Sequence, residues 1–171
     1  MSQSAQHITQ VDPRGPRFGA AVTVVVLGAI LILGPRSAVA GVLLTIQLLA
    51  FAAGAVLGLG AQPYGAFFKK FVRPRLAAPT ELEDSRPPQF AQAVGLGFAL
   101  LGTVGWILGS PVLFYVALGA AFAAAFLNAA FNYCLGCEMY LLLQRTRSGA
   151  SGTDANVTDS STTSVSQVSH H

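Results

Sequence analysis

The sequence predicts an all-α membrane protein: four transmembrane helices in two antiparallel hairpins, with a short interfacial amphipathic helix in the middle loop. Three observations predict it. Hydrophobic residues make up 53% of the 171-residue chain and charged residues only 10%, where soluble domains carry about 25% charged. The charges are clustered, which leaves four tracts with no Lys, Arg, Asp or Glu. Two of the joins between those tracts are short and built on glycine and proline. Only helices and closed barrels satisfy their backbone polar groups in lipid, and no tract alternates polar with apolar residues as a barrel strand does.

The polar N-terminal segment 1–17 has no apolar core of its own. Its first residues, MSQSAQHITQVDPRGP, do not resemble a secretory leader, so the first tract reads as a retained span. The spans fall at about 18–34, 38–60, 90–108 and 111–133, each near or above the roughly 17 residues a span needs. Gly34–Ser37 (GPRS) joins the first pair and Gly109–Pro111 (GSP) the second. Such short joins make antiparallel helical hairpins. The membrane domain covers 18–147, and a Ser/Thr/Gly-rich tail, 148–171, is too poor in large apolar residues to fold. Its NVT sequon at Asn156–Thr158 would be inert on the cytoplasmic side.

Orientation follows the basic residues. With both termini in the cytoplasm, that side holds Arg14, Arg17, Lys69, Lys70, Arg73, Arg75, Arg86, Arg145 and Arg147, and the other side only Arg36. The expected localisation is a multi-pass protein of the cell membrane. The net charge is +3, and no basic run interleaved with aromatics points to nucleic acid.

In the middle loop, Tyr64, Phe67, Phe68 and Phe71 recur at helical spacing, flanked by Lys69, Lys70 and Arg73. That pattern predicts an interfacial helix with Phe67, Phe68 and Phe71 in the acyl boundary and Lys69, Lys70 and Arg73 at the phosphates. Pro74 ends it. The acidic stretch ELEDSRPP, Glu81–Pro88, follows. Together they offer a surface for anionic lipid or for a soluble protein. Small residues on the spans, Gly54 and Gly58 among them, predict tight packing with little room for a channel. Gln47 and Asn128 read as interhelical hydrogen-bonding groups. No buried carboxylate or lysine suggests an ion-coupled pump.

The only two cysteines, Cys134 and Cys137, lie three apart in FNYCLGCEMYLLLQRTR. The apolar run from Pro111 to Leu143 would be about 50 Å long as one helix, against a core of about 30 Å. It must therefore leave the core or bend, and Asn132 and Gly136 are the candidate bending points. Beyond them EMYLLLQRTR reads as a second interfacial segment. A continuous helix puts both thiols on one face but at its C-terminal part, where the dipole disfavours thiolate. Glu138 also opposes it, and help would have to come from Lys69 or Arg73. On that reading Cys137, nearer water, attacks and Cys134 resolves. Three readings of the pair stand: thiol–disulfide or sulfur exchange, a metal site on Cys134 and Cys137, or no chemistry. Zinc wants four ligands, and His7, His170 and His171 all lie in the terminal segments. A dimer would supply four thiolates, so a homo-oligomer is one expectation.

Several pieces resemble a bacterial membrane family, frequent in actinobacteria, known as domain of unknown function 4395. They are DPRGPRF at Asp12–Phe18, PYG at Pro63–Gly65, VRPRL at Val72–Leu76, PPQFAQAVG at Pro87–Gly95, LNA at Leu127–Ala129 and CLGCEMYL at Cys134–Leu141. The resemblance covers residues 11–147. It implies a four-helix membrane domain with a C-terminal CxxC and no assigned activity; no cofactor is expected. By association it implies a soluble thioredoxin-like or sulfurtransferase partner, with Cys134, Cys137 and Glu138 as the residues carried over. A non-enzymatic anchor or scaffold for such a partner is the alternative.

Overall fold

A computed structural model describes residues 10–77 and 82–150; of the expectations above, those for the tail from 151 onward, His7 and Glu81 lie outside the described residues. Six α-helices and one two-strand ribbon make up the fold: β1 (Gln10–Val11), α1 (Arg14–Leu33), α2 (Ala38–Ala52), α3 (Pro63–Phe67), β2 (Glu83–Asp84), α4 (Arg86–Ile107), α5 (Pro111–Phe131) and α6 (Leu135–Ala150). A π-helical turn, Ala53–Leu57, extends α2, and a second one, Phe68–Val72, extends α3.

Four helical segments are long and apolar enough to cross a membrane: Arg14–Leu33, Ala38–Leu57, Arg86–Ile107 and Pro111–Phe131. At 1.5 Å per residue each is about 30 Å long, the thickness of a hydrocarbon core. Their outward faces are apolar, with Val25, Ile32, Val42, Leu49, Val56, Ile107, Val112 and Val116 exposed. Water would not tolerate so large an apolar exterior, and lipid suits it.

Each span begins where the sequence supplies a start. Asp12 accepts the Arg14 N–H at 3.0 Å. Ser37 accepts the Ala40 N–H at 3.4 Å. Ser110 accepts the Leu113 N–H at 3.5 Å, with Pro111 in the first turn. These bonds satisfy N–H groups that the helix itself leaves unpaired.

The spans close a ring, α1 against α2 and α5, and α4 against α2 and α5. Contact pairs give the directions. Gly41 faces Trp106, Phe51 faces Gly95, and Gly54 faces Gln92, so α2 and α4 run oppositely. Gly102 faces Leu118 and Gly105 faces Phe114, while Gly28 faces Phe122 and Gly34 faces Tyr115, so α5 opposes both α4 and α1. Leu27, Ile30, Leu44, Phe114 and Leu118 form the buried core of this ring. The backbones of α4 and α5 come close at Gly105, where a methyl group would sit 2.6 Å from the Phe114 nitrogen. Only a residue without a side chain permits it.

One end of the ring holds nearly all the remaining structure. The β1–β2 ribbon pairs Gln10 with Asp84 and Val11 with Glu83. Arg17 of α1 donates to the Ala129 carbonyl of α5 at 3.1 Å. Beneath, a buried polar chain ties three elements: Tyr64 donates to Gln47 at 3.0 Å, and Gln47 donates to Thr23 at 3.5 Å. Gln62 donates to Gln92 at 3.0 Å, and Gln89 donates to the Ala55 carbonyl inside the π-helical turn at 2.9 Å. Among the described residues no buried side-chain nitrogen or oxygen lacks a partner. Gln47 is thus bonded across helices, as its place in an uncharged span suggests.

The loop after α2 departs from its expected pattern. The ring of Phe68 is only 5% exposed. It packs on Phe18, 5.6 Å between centroids, and against Gly15. Phe67 and Phe71 stay exposed, with Lys69, Lys70 and Arg73 around them. The aromatic stripe therefore divides: Tyr64 and Phe68 turn into the bundle, and Phe67 and Phe71 turn out. Phe68 is corrected from an acyl-boundary residue to an internal one. The physical reason is that α1 begins at Arg14, a turn earlier than its apolar tract, and so offers Gly15 and Phe18 as a packing surface.

Candidate functional site

The site is made by the way α5 ends. Asn132 adopts the left-handed conformation, φ 57° and ψ 27°, and is the only non-glycine among the described residues with positive φ. Asparagine is one of the few side chains that tolerates it. The Asn132 N–H donates to the Asn128 carbonyl at 3.1 Å and the Tyr133 N–H to Leu127 at 3.3 Å. With Arg17 on Ala129, these bonds close the carbonyl end of the helix and stop it.

A new helix then starts at once. The Cys134 carbonyl accepts the Glu138 N–H at 3.0 Å. The Cys134 Sγ accepts the Cys137 N–H at 3.4 Å. Cys134 therefore stands as the N-cap of α6, its sulfur in the place that a serine or threonine oxygen usually takes. This corrects the continuous-helix reading. Of the two candidate bending points, Asn132 breaks the chain. Gly136 does a different job: a methyl group there would lie 2.6 Å from the Ala91 Cα, so it lets α6 dock on α4. Tyr140 continues that contact, its ring tilted against Phe90 at 5.7 Å between centroids.

The electrostatics invert as a result. A helix start carries positive potential and free N–H groups, and these favour thiolate. The hydrogen bond from the Cys137 thiol is the largest influence on Cys134, followed in the opposite sense by partial burial. The Cys137 and Gly136 N–H groups add to the lowering and Glu138 opposes it, leaving Cys134 at about 7. Cys137 moves upward, first because it gives its hydrogen bond to Cys134, then by burial, then by the negative charges of Cys134, Glu83 and Glu138. Of the two thiols Cys134 is the one lowered and Cys137 the one raised, whereas the sequence reading makes Cys137 the attacking thiol. Lys69 and Arg73 are not among the groups acting on either thiol; the lowering comes from α6 itself.

Both cysteines are free and half-buried. Among the described residues no group of three or more His, Cys, Asp or Glu side chains could hold a metal ion. The pair alone offers two sulfurs. Sequence reasoning missed Glu83, which the β1–β2 ribbon carries to the thiol end. Its only signal was the acidic stretch before α4. Asp84 of that stretch has a structural role instead, accepting the Arg86 N–H at 2.9 Å.

No curated protein and no solved structure matches the chain. A family model described as "Domain of unknown function (DUF4395)" matches residues 11–145, which include the four spans and both cysteines, and the chain belongs to that family.

Proposed function

We propose that this is a multi-pass membrane protein, both termini in the cytoplasm, whose Cys134–Cys137 pair exchanges electrons with the disulfide of a soluble thioredoxin-like protein. The observation that carries the reading is the start of α6 at the CxxC, with the Cys134 sulfur on the Cys137 N–H. The orientation rests on the nine-to-one bias of basic residues between the two sides. The exposed Phe67, Phe71, Lys69, Lys70 and Arg73 serve as its contact with anionic headgroups on the cytoplasmic side.

In the proposed reaction, Cys134 thiolate attacks one sulfur of the partner's disulfide. A mixed disulfide forms, and the partner's other sulfur leaves as thiolate and takes a proton from water. Cys137 then gives up its proton and attacks the Cys134 Sγ. The Cys134–Cys137 disulfide forms, and the partner's second thiolate leaves and is protonated. Two electrons and two protons have passed to the partner, and the same steps run backward. In the cytoplasm such a disulfide is transient rather than a structural staple.

The test is trapping from native membranes. Cys137→Ser should hold a reductant-sensitive adduct on Cys134, and Cys134→Ser should hold none. A partner retained equally by the double Cys→Ser variant, insensitive to reductant, would establish an anchor or scaffold instead.

A further inference from the structure

Outside the thiols, the feature that the proposed exchange leaves unused is the outer face of α6. Leu135, Met139 and Leu142 recur at i, i+4 and i+7 and are 38%, 49% and 57% exposed. Leu143, also exposed, widens the stripe. Gly136 and Tyr140 lie on the other side, against α4. We infer that this stripe seats α6 in the interfacial layer of an anionic leaflet, which holds the Cys134 thiol at headgroup level. The inference rests on the membrane placement proposed above.

Three observations favour lipid as the occupant. First, α5 is 21 residues long, about 31 Å at 1.5 Å per residue, so it reaches the edge of a core about 30 Å thick near Asn132. The exposed rings of Phe131 and Tyr133 mark that edge, where aromatic side chains concentrate. The stripe of α6 starts two residues later, at that edge. Second, α6 docks on the first turns of α4 (Arg86–Ile107), Gly136 on Ala91 and Tyr140 on Phe90. Those turns lie at the ribbon end of the bundle, where α4 enters the core, so α6 sits at the edge of the core and not within it. Third, this end of the bundle carries Arg14, Arg17, Lys69, Lys70, Arg73, Arg75 and Arg86, and α6 adds the exposed Arg145. Cations beside an apolar stripe are the mark of a helix that lies on an anionic surface.

The chain has a single tryptophan, which permits a depth measurement without touching the thiols. In a Trp106→Phe background, full-length protein in nanodiscs of phosphatidylglycerol carries one new tryptophan at a time. Leu142→Trp should be quenched severalfold by lipids brominated near the top of the acyl chain. Gln144→Trp, on the flank where Gln144 donates to the Tyr140 hydroxyl at 2.7 Å, should be quenched little. Val116→Trp, exposed five residues inside α5, is the control and should be quenched by bromines midway along the acyl chain. An unquenched Leu142→Trp beside a quenched Val116→Trp overturns this inference alone and assigns the stripe to a second copy or a soluble protein. An unquenched Val116→Trp overturns the membrane placement and this inference with it. Equal quenching at 142 and 144 also overturns it, since a stripe seated in lipid must distinguish its two flanks.

Discussion

The two ends of the helical ring contrast. At one end the chain turns twice with almost nothing added: Gly34–Ser37 and Gly109–Ser110 reverse direction using a positive-φ glycine and a serine cap. At the other end the same four spans meet a ribbon, a polar chain, an aromatic and basic segment, and a helix that starts at a thiol. The simple end requires only that backbones come close. The elaborate end needs hydrogen-bonding partners, because the chain leaves the bundle there through polar, bonded joins. The two thiols sit where one helix stops and another starts. Stopping and starting helices expose the carbonyls and N–H groups that a thiol can use.

If the ends are separable, a change at one should leave the other intact. The largest effect is expected from Gly105→Ala at the simple end. The added methyl meets the Phe114 backbone at 2.6 Å, and overpacking of that kind costs about 1–3 kcal/mol. Thermal or denaturant unfolding in detergent should show the loss, and the pH profile of Cys134 alkylation should keep its midpoint. A midpoint that moves along with stability would mean that the ends are coupled.

Gly136→Ala probes the elaborate end by the same device. Its methyl would meet Ala91 at 2.6 Å, so α6 must shift on α4. Alkylation of Cys134 at pH 7 should fall about fivefold, because raising a midpoint of about 7 by one unit, about 1.4 kcal/mol, takes the thiolate fraction from about a half to about a tenth, with unfolding of the ring little changed. Equal losses in both measurements would show that α6 stabilises the spans and is not an appendage of the site.

Within the site, Cys137→Ala and Cys137→Ser separate the helix start from the thiol hydrogen bond. In the native chain the alkylation rate should rise with pH to a midpoint of about 7. Below it the thiol is protonated, and the rate drops about tenfold per pH unit. Cys137→Ala removes the largest lowering influence on Cys134, so the midpoint should move up and the rate at pH 7 fall severalfold. Cys137→Ser keeps a donor, and its midpoint should stay nearer the native one. Native midpoints in both variants would leave the backbone N–H groups as the whole cause.

Much of the architecture was legible because membrane spans are written in composition. Four tracts without a formal charge leave few alternatives, and Gly and Pro mark their ends. The ends of elements at the thiol side were harder to read. Asn132 and Gly136 are both plausible breaks in a long apolar run, and the choice depends on Arg17 and Ala91, residues far away in sequence. That choice frees the Cys137 and Gly136 N–H groups which, after the Cys137 thiol, lower Cys134. Phe68 has the same lesson. Its spacing identifies a helix, but whether the ring meets lipid or protein depends on Gly15 and Phe18 lying opposite. Glu83 reaches the thiols only because Val11 pairs with it, and a two-residue ribbon leaves no periodic trace.

The smallest effect is expected where the two ends are joined. Gln47 is fully buried midway along α2, accepts from Tyr64 and donates to Thr23. It links the core of the ring to the loop that carries the aromatic and basic segment. Interhelical bonds within membranes average only about 0.6 kcal/mol by double-mutant cycles, because the separated helices find other partners. Gln47→Leu should therefore cost the ring about that much in unfolding. The larger consequence should be local. Tyr64 loses the acceptor for its hydroxyl, so α3 and the exposed Phe67 and Phe71 beyond it are held less firmly. Amide hydrogen exchange across Pro63–Val72 should quicken, while exchange across Leu135–Gln144 should not, since α6 docks on α4 through Gly136 and Tyr140 and takes no support from Gln47. Faster exchange in both segments would show that the thiol helix and the aromatic segment open as one unit, and the elaborate end would then count as one cooperative structure instead of two.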